Sequence, residues 1–341
     1  MPSRRVYEAC LNAGYPVDQI PYERFDAPLS HDDLELLLEL LGSVRNSAGK
    51  NPVVTANCLV ANPDFDKIEA SGFADYHYEL VTETLKNYPQ HDRSFSLWMD
   101  GADAGLLKHQ FHGREHLNVA MFMTALRAGD EDALFGFRHC MPGCIPKGPK
   151  VQGNKYVEAT RFRSPEEKDF VLGALVDGLA IFERLFGFRS DTLIPTNYCW
   201  SRDLDQAVAQ SGVQGFQGNR IMTDQQTDGS HVRVSRKLGE RNTHGQVYLT
   251  RNATFEPSLF RMKIADPVDN CLSEINGAFM MGKPAIISSH RINFCGFIDP
   301  KNRDRNLMML RKLLQSVIAK WPDVEFLSSD QLLAHIRPSK V

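Results

Sequence analysis

The stretch SPEEKDFVLGALVDGLAIFERLFGFRSDTLI (Ser164–Ile194) decides how this chain is read. Ser164 suits a helix N-cap, Pro165 fits the first helical position, and Glu167 stands where a capping box places its acid. Phe170, Val171, Ala174, Leu175, Ile181, Phe182 and Leu185 recur at helical spacing, and Gly187 suits the left-handed residue that ends a helix. Asp191 to Ile194 then reads as a strand, Leu204 to about Ser211 as a helix, and Val213 to Phe216 as another strand. Strand, helix and strand at this spacing imply parallel strands joined by right-handed crossovers.

Outward from that centre the alternation continues. His31 to Leu41 reads as a helix with Leu34, Leu37, Leu38 and Leu41 on one face. Pro52 to Val60 is rich in β-branched residues and reads as a buried strand that Asn62-Pro63 breaks. Ser94 to Trp98 reads as a strand, as do Pro284 to Ser289 and Val324 to Leu327. Arg303 to Lys320 is a long amphipathic helix, and a terminal helix follows. Thr223 to Arg241 reads as a long loop or a β-hairpin excursion, and Pro142 to Gly153 as a Gly/Pro-rich loop. Nothing repeats. The expected fold is α/β, one distorted (β/α) barrel over residues 1–341 with inserted loops.

Composition narrows the partners. The chain has 341 residues, 42% hydrophobic and 24% charged, too apolar for disorder. Lys plus Arg number 39 against 42 Asp plus Glu, a formal charge of -3, so no basic stripe points to nucleic acid. No apolar run approaches the ~18–20 residues of a membrane span, and the N-terminus has no secretory apolar segment. Seven scattered Cys suit free thiols in a reducing, cytoplasmic setting. A homo-oligomer is left open.

Four stretches carry groups for chemistry. His112 and His116, in Gln110-Phe111-His112-Gly113-Arg114-Glu115-His116, stand four apart, so a helical backbone would set both imidazoles on one face, a common start to a zinc site. Ordinary surface or core histidines account for the pair equally well. The same residues match H-x-x-E-H, the inverted zinc-peptidase motif with Glu115 as base, which needs a continuous helix. Arg24-Phe25-Asp26 reads as a strand ending in an acid, either a metal ligand or base at a barrel rim or a turn residue. Ile286 to Arg291 delivers His290 at a strand end, a general acid or a structural histidine. Asn197, Tyr198 and Trp200 follow a middle strand, as a sugar-binding groove or as packing. His139, Cys140 and Cys144 are close in sequence but have the Pro142-Gly143 pair of an ordinary loop between them.

In this order the residues resemble the polysaccharide deacetylase family with the NodB-homology domain. Arg24 to Pro28 resembles a degenerate T-F-D-D-G motif, His112 to His116 matches H-[ST]-x-x-H at both ligands, and Ile287 to His290 resembles Leu-x-x-His. Pro195 to Trp200 loosely echoes an Arg-x-Pro-aromatic segment. The resemblance runs from about Tyr22 to His335, with insertions around 130–160 and 220–250. It implies a barrel holding a divalent metal, zinc above others, through Asp26, His112 and His116, with His290 as acid and an N-acetylated glycan as substrate. Ala27 stands where the family has a second acid, so Asp26 is either ligand or base, and Glu115, Asp100 or Asp103 would supply the other role. Asn57 would offer an oxygen toward metal or substrate, and Arg251 would replace the motif-three arginine. The chain is thus expected to be a metal-dependent deacetylase, with Asn57, Glu115, Asn197, Tyr198 and Trp200 touching substrate. The alternatives are a barrel that binds carbohydrate without cleaving it and an inverted-motif peptidase.

Overall fold

The computed structural model describes residues 3–143, 147, 156–226, 230–259 and 266–336. Its first half runs α1 (Arg4–Asn12), α2 (Pro21–Phe25), α3 (His31–Gly42), β1 (Val54–Leu59), β2 (Ala61–Pro63), α4 (Phe65–Ala70), β3 (Tyr78–Leu80), α5 (Val81–Lys86), α6 (Ser94–Asp103), β4 (Leu107–Gly113), α7 (Val119–Arg127) and α8 (Glu131–Arg138). The second half runs α9 (Pro165–Phe186), β5 (Thr192–Leu193), β6 (Cys199–Trp200), α10 (Asp205–Gln210), β7 (Gly215–Gly218), β8 (Ile221–Gln225), β9 (His231–Ser235), β10 (Val247–Thr250), β11 (Ala253–Thr254), α11 (Pro267–Met280), β12 (Ile287–Ser288), α12 (Pro300–Lys320) and α13 (Ser329–Ile336).

Local chemistry explains the best-defined helices. Ser164 accepts a hydrogen bond from the Glu167 N–H, Pro165 opens α9, and Gly187 closes it at φ 78°. Ser30 and Asp33 form a reciprocal capping box at the start of α3. The buried face of α9 includes Val171, Leu175, Leu179, Phe182 and Phe186, and Phe182 meets Phe111 of β4 edge-on with ring centroids 6.2 Å apart. Gly178 permits this approach: a Cβ there would lie 2.8 Å from Phe111 Cζ and 3.1 Å from Arg114 Cα.

The chain falls into two compact units, residues 1–55, 85–108 and 251–331 in the first, and 56–84, 109–250 and 332–341 in the second. The first unit packs α3, α11 and α12 around Leu41, Phe255, Val268, Cys271, Ile275 and Leu313. It also holds β11 and β12, paired in parallel with Ala253 opposite Ile287 and Thr254 opposite Ser288. In the second unit Ile68, Phe122, Met123 and Phe137 form a core under α7 and α8. Burying each such Phe or Leu contributes about 1.5–3 kcal/mol.

The main sheet has the order β1-β4-β5-β7-β10. β5 pairs in parallel with β4 and β7, and β7 with β10. Adjacent strands lie about 4.8 Å apart, so a flat sheet would hold β1 and β7 about 14 Å apart. Yet Gln217 Nε2 on β7 donates to Asn57 Oδ1 on β1 at 2.7 Å, and the reciprocal contact is 3.3 Å. The sheet must therefore curl, and its concave side holds a polar layer. Gln217 Nε2 also reaches Thr192 Oγ1 at 3.0 Å, and Gln110 Oε1 accepts from Thr192 N and Ser190 Oγ, each at 2.8 Å. The expected α/β class stands; this curled parallel sheet is as much of the expected barrel as the described residues display.

Several local readings change. Ser94–Asp103 is a helix, not a strand; a short apolar run fits either period, and here Ser94 Oγ donates to the Leu29 carbonyl while α6 packs on α3. Arg24 and Phe25 end a helix that Pro21 opens, so Asp26 caps α2 and does not end a strand. Asn62-Pro63 does not stop the chain from pairing: β2 runs antiparallel to β3. Val324 to Leu327 forms no strand, because the Val324 carbonyl accepts from the Asn46 amide instead of a neighbouring ladder. The excursion after Thr223 is a hairpin, β8 antiparallel to β9. Most of the loop from Pro142 to Gly153, Cys144 included, lies outside the described residues.

Candidate functional site

In the first unit the parallel pair β11 and β12 sets the geometry. Register places residue 256 opposite residue 290, two positions past each strand, and the Phe255 N–H donating to the Ser288 carbonyl at 2.8 Å carries the ladder that far. Ligands and catalytic groups gather at such carboxyl ends of parallel strands. His290 Nδ1 lies 2.5 Å from Glu256 Oε1. The Glu256 side chain is 6% exposed and that of His290 38% exposed, so the carboxylate sits behind a ring that reaches solvent. A carboxylate on Nδ1 fixes the tautomer, turns Nε2 outward, and faces the positive charge the ring acquires on taking a proton.

The surroundings hold this pair in place. Asn293, fully buried, donates through Nδ2 to Glu256 Oε2 at 2.7 Å. Ser258 Oγ lies 2.8 Å from both Asn302 Oδ1 and Asn306 Nδ2, which tie the segment after Glu256 to α12. α2 packs on the turn after His290: Tyr22 meets the His290 ring edge-on at 5.6 Å, and Asp26 takes a bidentate pair from Arg291 at 2.9 and 2.8 Å. Arg251 Nη1 donates to Ser288 Oγ at 3.1 Å. A cavity of about 390 Å³ is lined by Asp18, Gln19, Pro21, Arg24, Phe25 and Ser258. Burial pushes the Glu23 carboxyl up to about 8, with Cys10 and Asp26 adding to the effect, so α2 carries a protonated acid at neutral pH.

In the second unit His112 lies in β4 beside its carboxyl end, and Gly113 turns the chain at φ 132°, a conformation that favours glycine. His112 Nδ1 lies 2.8 Å from the Ile194 carbonyl, and its ring centroid is 5.1 Å from that of His116. The two imidazoles do meet, but on a strand end and turn. The continuous helix that the inverted peptidase motif requires is absent, because residues 107–113 are strand. Glu115 points elsewhere: it is buried and accepts from Arg114 at 2.7 and 3.0 Å, while Arg114 also reaches Asp177 at 3.2 Å and covers the Tyr78 ring at 4.4 Å. Burial raises the Glu115 pKa and Arg114 counters this only in part.

Among the other anticipated groups, Asn57 belongs to the polar layer of the curled sheet. Asn197 is exposed, and both it and Tyr198 adopt left-handed backbone, at φ 54° and 55°. Two such non-glycine residues in succession store strain, which clusters at functional positions. Trp200 is core: it is buried, its indole N–H donates to Asp205 Oδ1 at 2.8 Å, and its ring packs on Phe216. Asp100 and Asp103 lie on α6 in the first unit.

The three residues of the metal set implied by the sequence fall in different units. Asp26 belongs to the first unit and gives both oxygens to Arg291, whereas His112 and His116 belong to the second. Among the described residues no group of three His, Cys, Asp or Glu is placed to hold a metal ion. Sequence reasoning missed Glu256 and Asn293. The only signal for Glu256 was its place just after a short apolar run, Ala253 to Phe255, that pairs with the run before His290.

No protein-family model and no curated protein matches the chain. Among solved structures it is similar to a 4-alpha-glucanotransferase from Thermococcus litoralis, at 12% identity and TM-score 0.45 over 93% of this chain and 37% of that one. It is also similar to an alpha-amylase from Thermotoga maritima, at 11% identity and TM-score 0.41 over 75% and 54%. A GH57 branching enzyme from Thermococcus kodakaraensis gives 10% identity and TM-score 0.32 over 99% and 65%. The chain thus spans less than two thirds of each of these structures. None of the three is named as a deacetylase, and among the described residues no three His, Cys, Asp or Glu are placed to hold a metal ion; the expected metal-dependent deacetylase is corrected accordingly. Among the described residues no helix is long and apolar enough to cross a membrane.

Proposed function

We propose that this chain is a carbohydrate-active enzyme in which Glu256 and His290 transfer a proton at a sugar oxygen. The observation that carries this is the register-aligned, buried carboxylate on Nδ1 of a half-exposed imidazole. His290 Nε2 takes the proton of an attacking hydroxyl or water, Glu256 faces the ring's positive charge meanwhile, and Nε2 returns the proton to the departing oxygen. The reaction class is hydrolysis or transfer at a C–O bond. The cavity along α2 and Ser258 would give a saccharide unit a place near the pair.

The test is a panel of oligosaccharides, nitrophenyl glycosides and sugar esters, read by mass spectrometry, with Glu256→Gln and His290→Asn beside the wild type. Turnover by the wild type that falls by about 10²-fold or more in both variants supports the assignment. Full turnover in His290→Asn would sink it.

A second reading, carbohydrate binding without turnover, is favoured by the polar layer of the second unit, where Asn57, Thr192 and Gln217 are neutral hydrogen-bonding groups. Saturable glycan binding that survives His290→Asn, with no product from any substrate, would select this reading.

A further inference from the structure

We infer that Asn293 is the positioning residue of the Glu256–His290 pair, a role that rests on the proposed part of His290 in proton transfer. The orientation of its amide is settled by its neighbours. Asn293 Oδ1 accepts from the Ser258 backbone N–H at 3.0 Å, so the oxygen faces that way and the NH₂ group faces Glu256. The NH₂ group has two hydrogens, and its two shortest contacts are Glu256 Oε2 at 2.7 Å and the His290 carbonyl at 3.0 Å. Ser289 Oγ at 3.1 Å and the Phe255 carbonyl at 3.4 Å lie close behind.

One side chain thus grips the carboxylate, the backbone of the residue bearing the imidazole, and the backbone two residues beyond the carboxylate. The bonds to Ser258 and His290 fix the Asn293 amide, and the third, to Oε2, limits how Glu256 can turn. With Oε2 engaged, Oε1 is the oxygen presented to His290 Nδ1, which holds the ring in the tautomer whose Nε2 accepts a proton. Burial strengthens the device, because an unsatisfied carboxylate oxygen at this depth costs more than a surface one. Asn293 touches neither Nε2 nor a reacting atom; it acts through Glu256.

The readout is the tautomer of His290, followed by ¹⁵N NMR of its ring nitrogens in the full-length protein, with no substrate needed. The wild type is expected to show Nδ1–H as the dominant tautomer. Asn293→Ala removes the donor, and the tautomer ratio is expected to shift toward a mixture. Asn293→Asp keeps the shape but sets an acceptor against Glu256 Oε2, so the ring signals are expected to move even if the alanine variant fails to fold. Thermal melts of each variant report folding separately. Unchanged ring-nitrogen signals in Asn293→Asp would overturn the inference, as would a wild-type ring without a dominant Nδ1–H tautomer. Failure of the proposed reaction would show elsewhere, as unaltered turnover in His290→Asn.

Discussion

Two histidines stand at or beside the carboxyl end of a parallel strand in this molecule, one in each unit, and they are anchored differently. His290 fixes Nδ1 on a buried carboxylate, whereas His112 fixes Nδ1 on the Ile194 peptide carbonyl. Both anchors select a tautomer. Only the carboxylate carries a charge that can answer the imidazolium formed during proton transfer. On the proposed function, the contrast separates the position that carries acid–base chemistry from one that presents a hydrogen-bonding ring. It also shows the reach of sequence spacing: His112 and His116, close in the chain, are paired by spacing and their rings do meet, while the partner of His290 lies 34 residues away.

The sharpest way to break the comparison is to remove each imidazole in turn. His290→Asn is expected to lower kcat by about 10²–10⁴-fold with little change in KM, the usual loss on removing a general acid–base group. His112→Asn is expected to alter KM alone. Steady-state kinetics on the first substrate that the panel yields would check both, and equal losses in kcat would erase the distinction.

The second unit can be probed through the close contact that sets β4 against α9. Gly178→Ala would add a Cβ 2.8 Å from Phe111 Cζ and 3.1 Å from the Arg114 backbone. Alanine favours a helix over glycine by about 1 kcal/mol. Overpacking of a buried contact with backbone costs about 1–3 kcal/mol, and the backbone here cannot yield as a flexible side-chain tip would. A net loss of stability is therefore expected, read as a lower urea midpoint. A rise would mean that β4 shifts freely, and His112 with it.

Gln217→Ala tests the curl of the sheet that carries His112. It removes the bonds to Asn57 and Thr192, at about 1 kcal/mol, since Asn57 can turn to water in part. Adding Asn57→Ala to it should cost less than the sum of the single changes, because the two amides bond each other. Additive urea midpoints would show that the pair does not hold the curl.

How much of this was legible beforehand follows the range of the forces involved. α9 was readable from Ser164 to Gly187 because its cap, its first-turn proline and its left-handed stop are all local. The strands near β5 and β12 were found too, though the ladders are shorter than the apolar runs that announced them. α2 and α6 were misread because runs of five residues carry no decisive period, and packing on α3 or on the turn at Arg291 settled the matter. His290 could be singled out from the strand that delivers it. Glu256 could not, because its role comes from a parallel register between two-residue strands that no spacing announces. Asp26 was legible as an acid but not as the partner of Arg291, a contact across 265 positions.

The last test concerns α2, which presses Tyr22 against His290, whereas the ring that meets His112 edge-on is that of His116. Glu23 is protonated in the folded chain up to about pH 8, whereas an unfolded glutamate ionises near pH 4.3. Between those values the unfolded state binds fewer protons than the native one, so stability falls as pH rises from about 4 toward 8 and then levels off. Glu23→Gln removes the titrating group while keeping the shape. Its thermal midpoint should therefore match the wild type near pH 4 and exceed it by a few degrees at pH 9. If the two curves run parallel across that range, α2 carries an ordinary ionised glutamate. Its hold on the turn at His290 would then depend on the Tyr22 and Asp26 contacts alone.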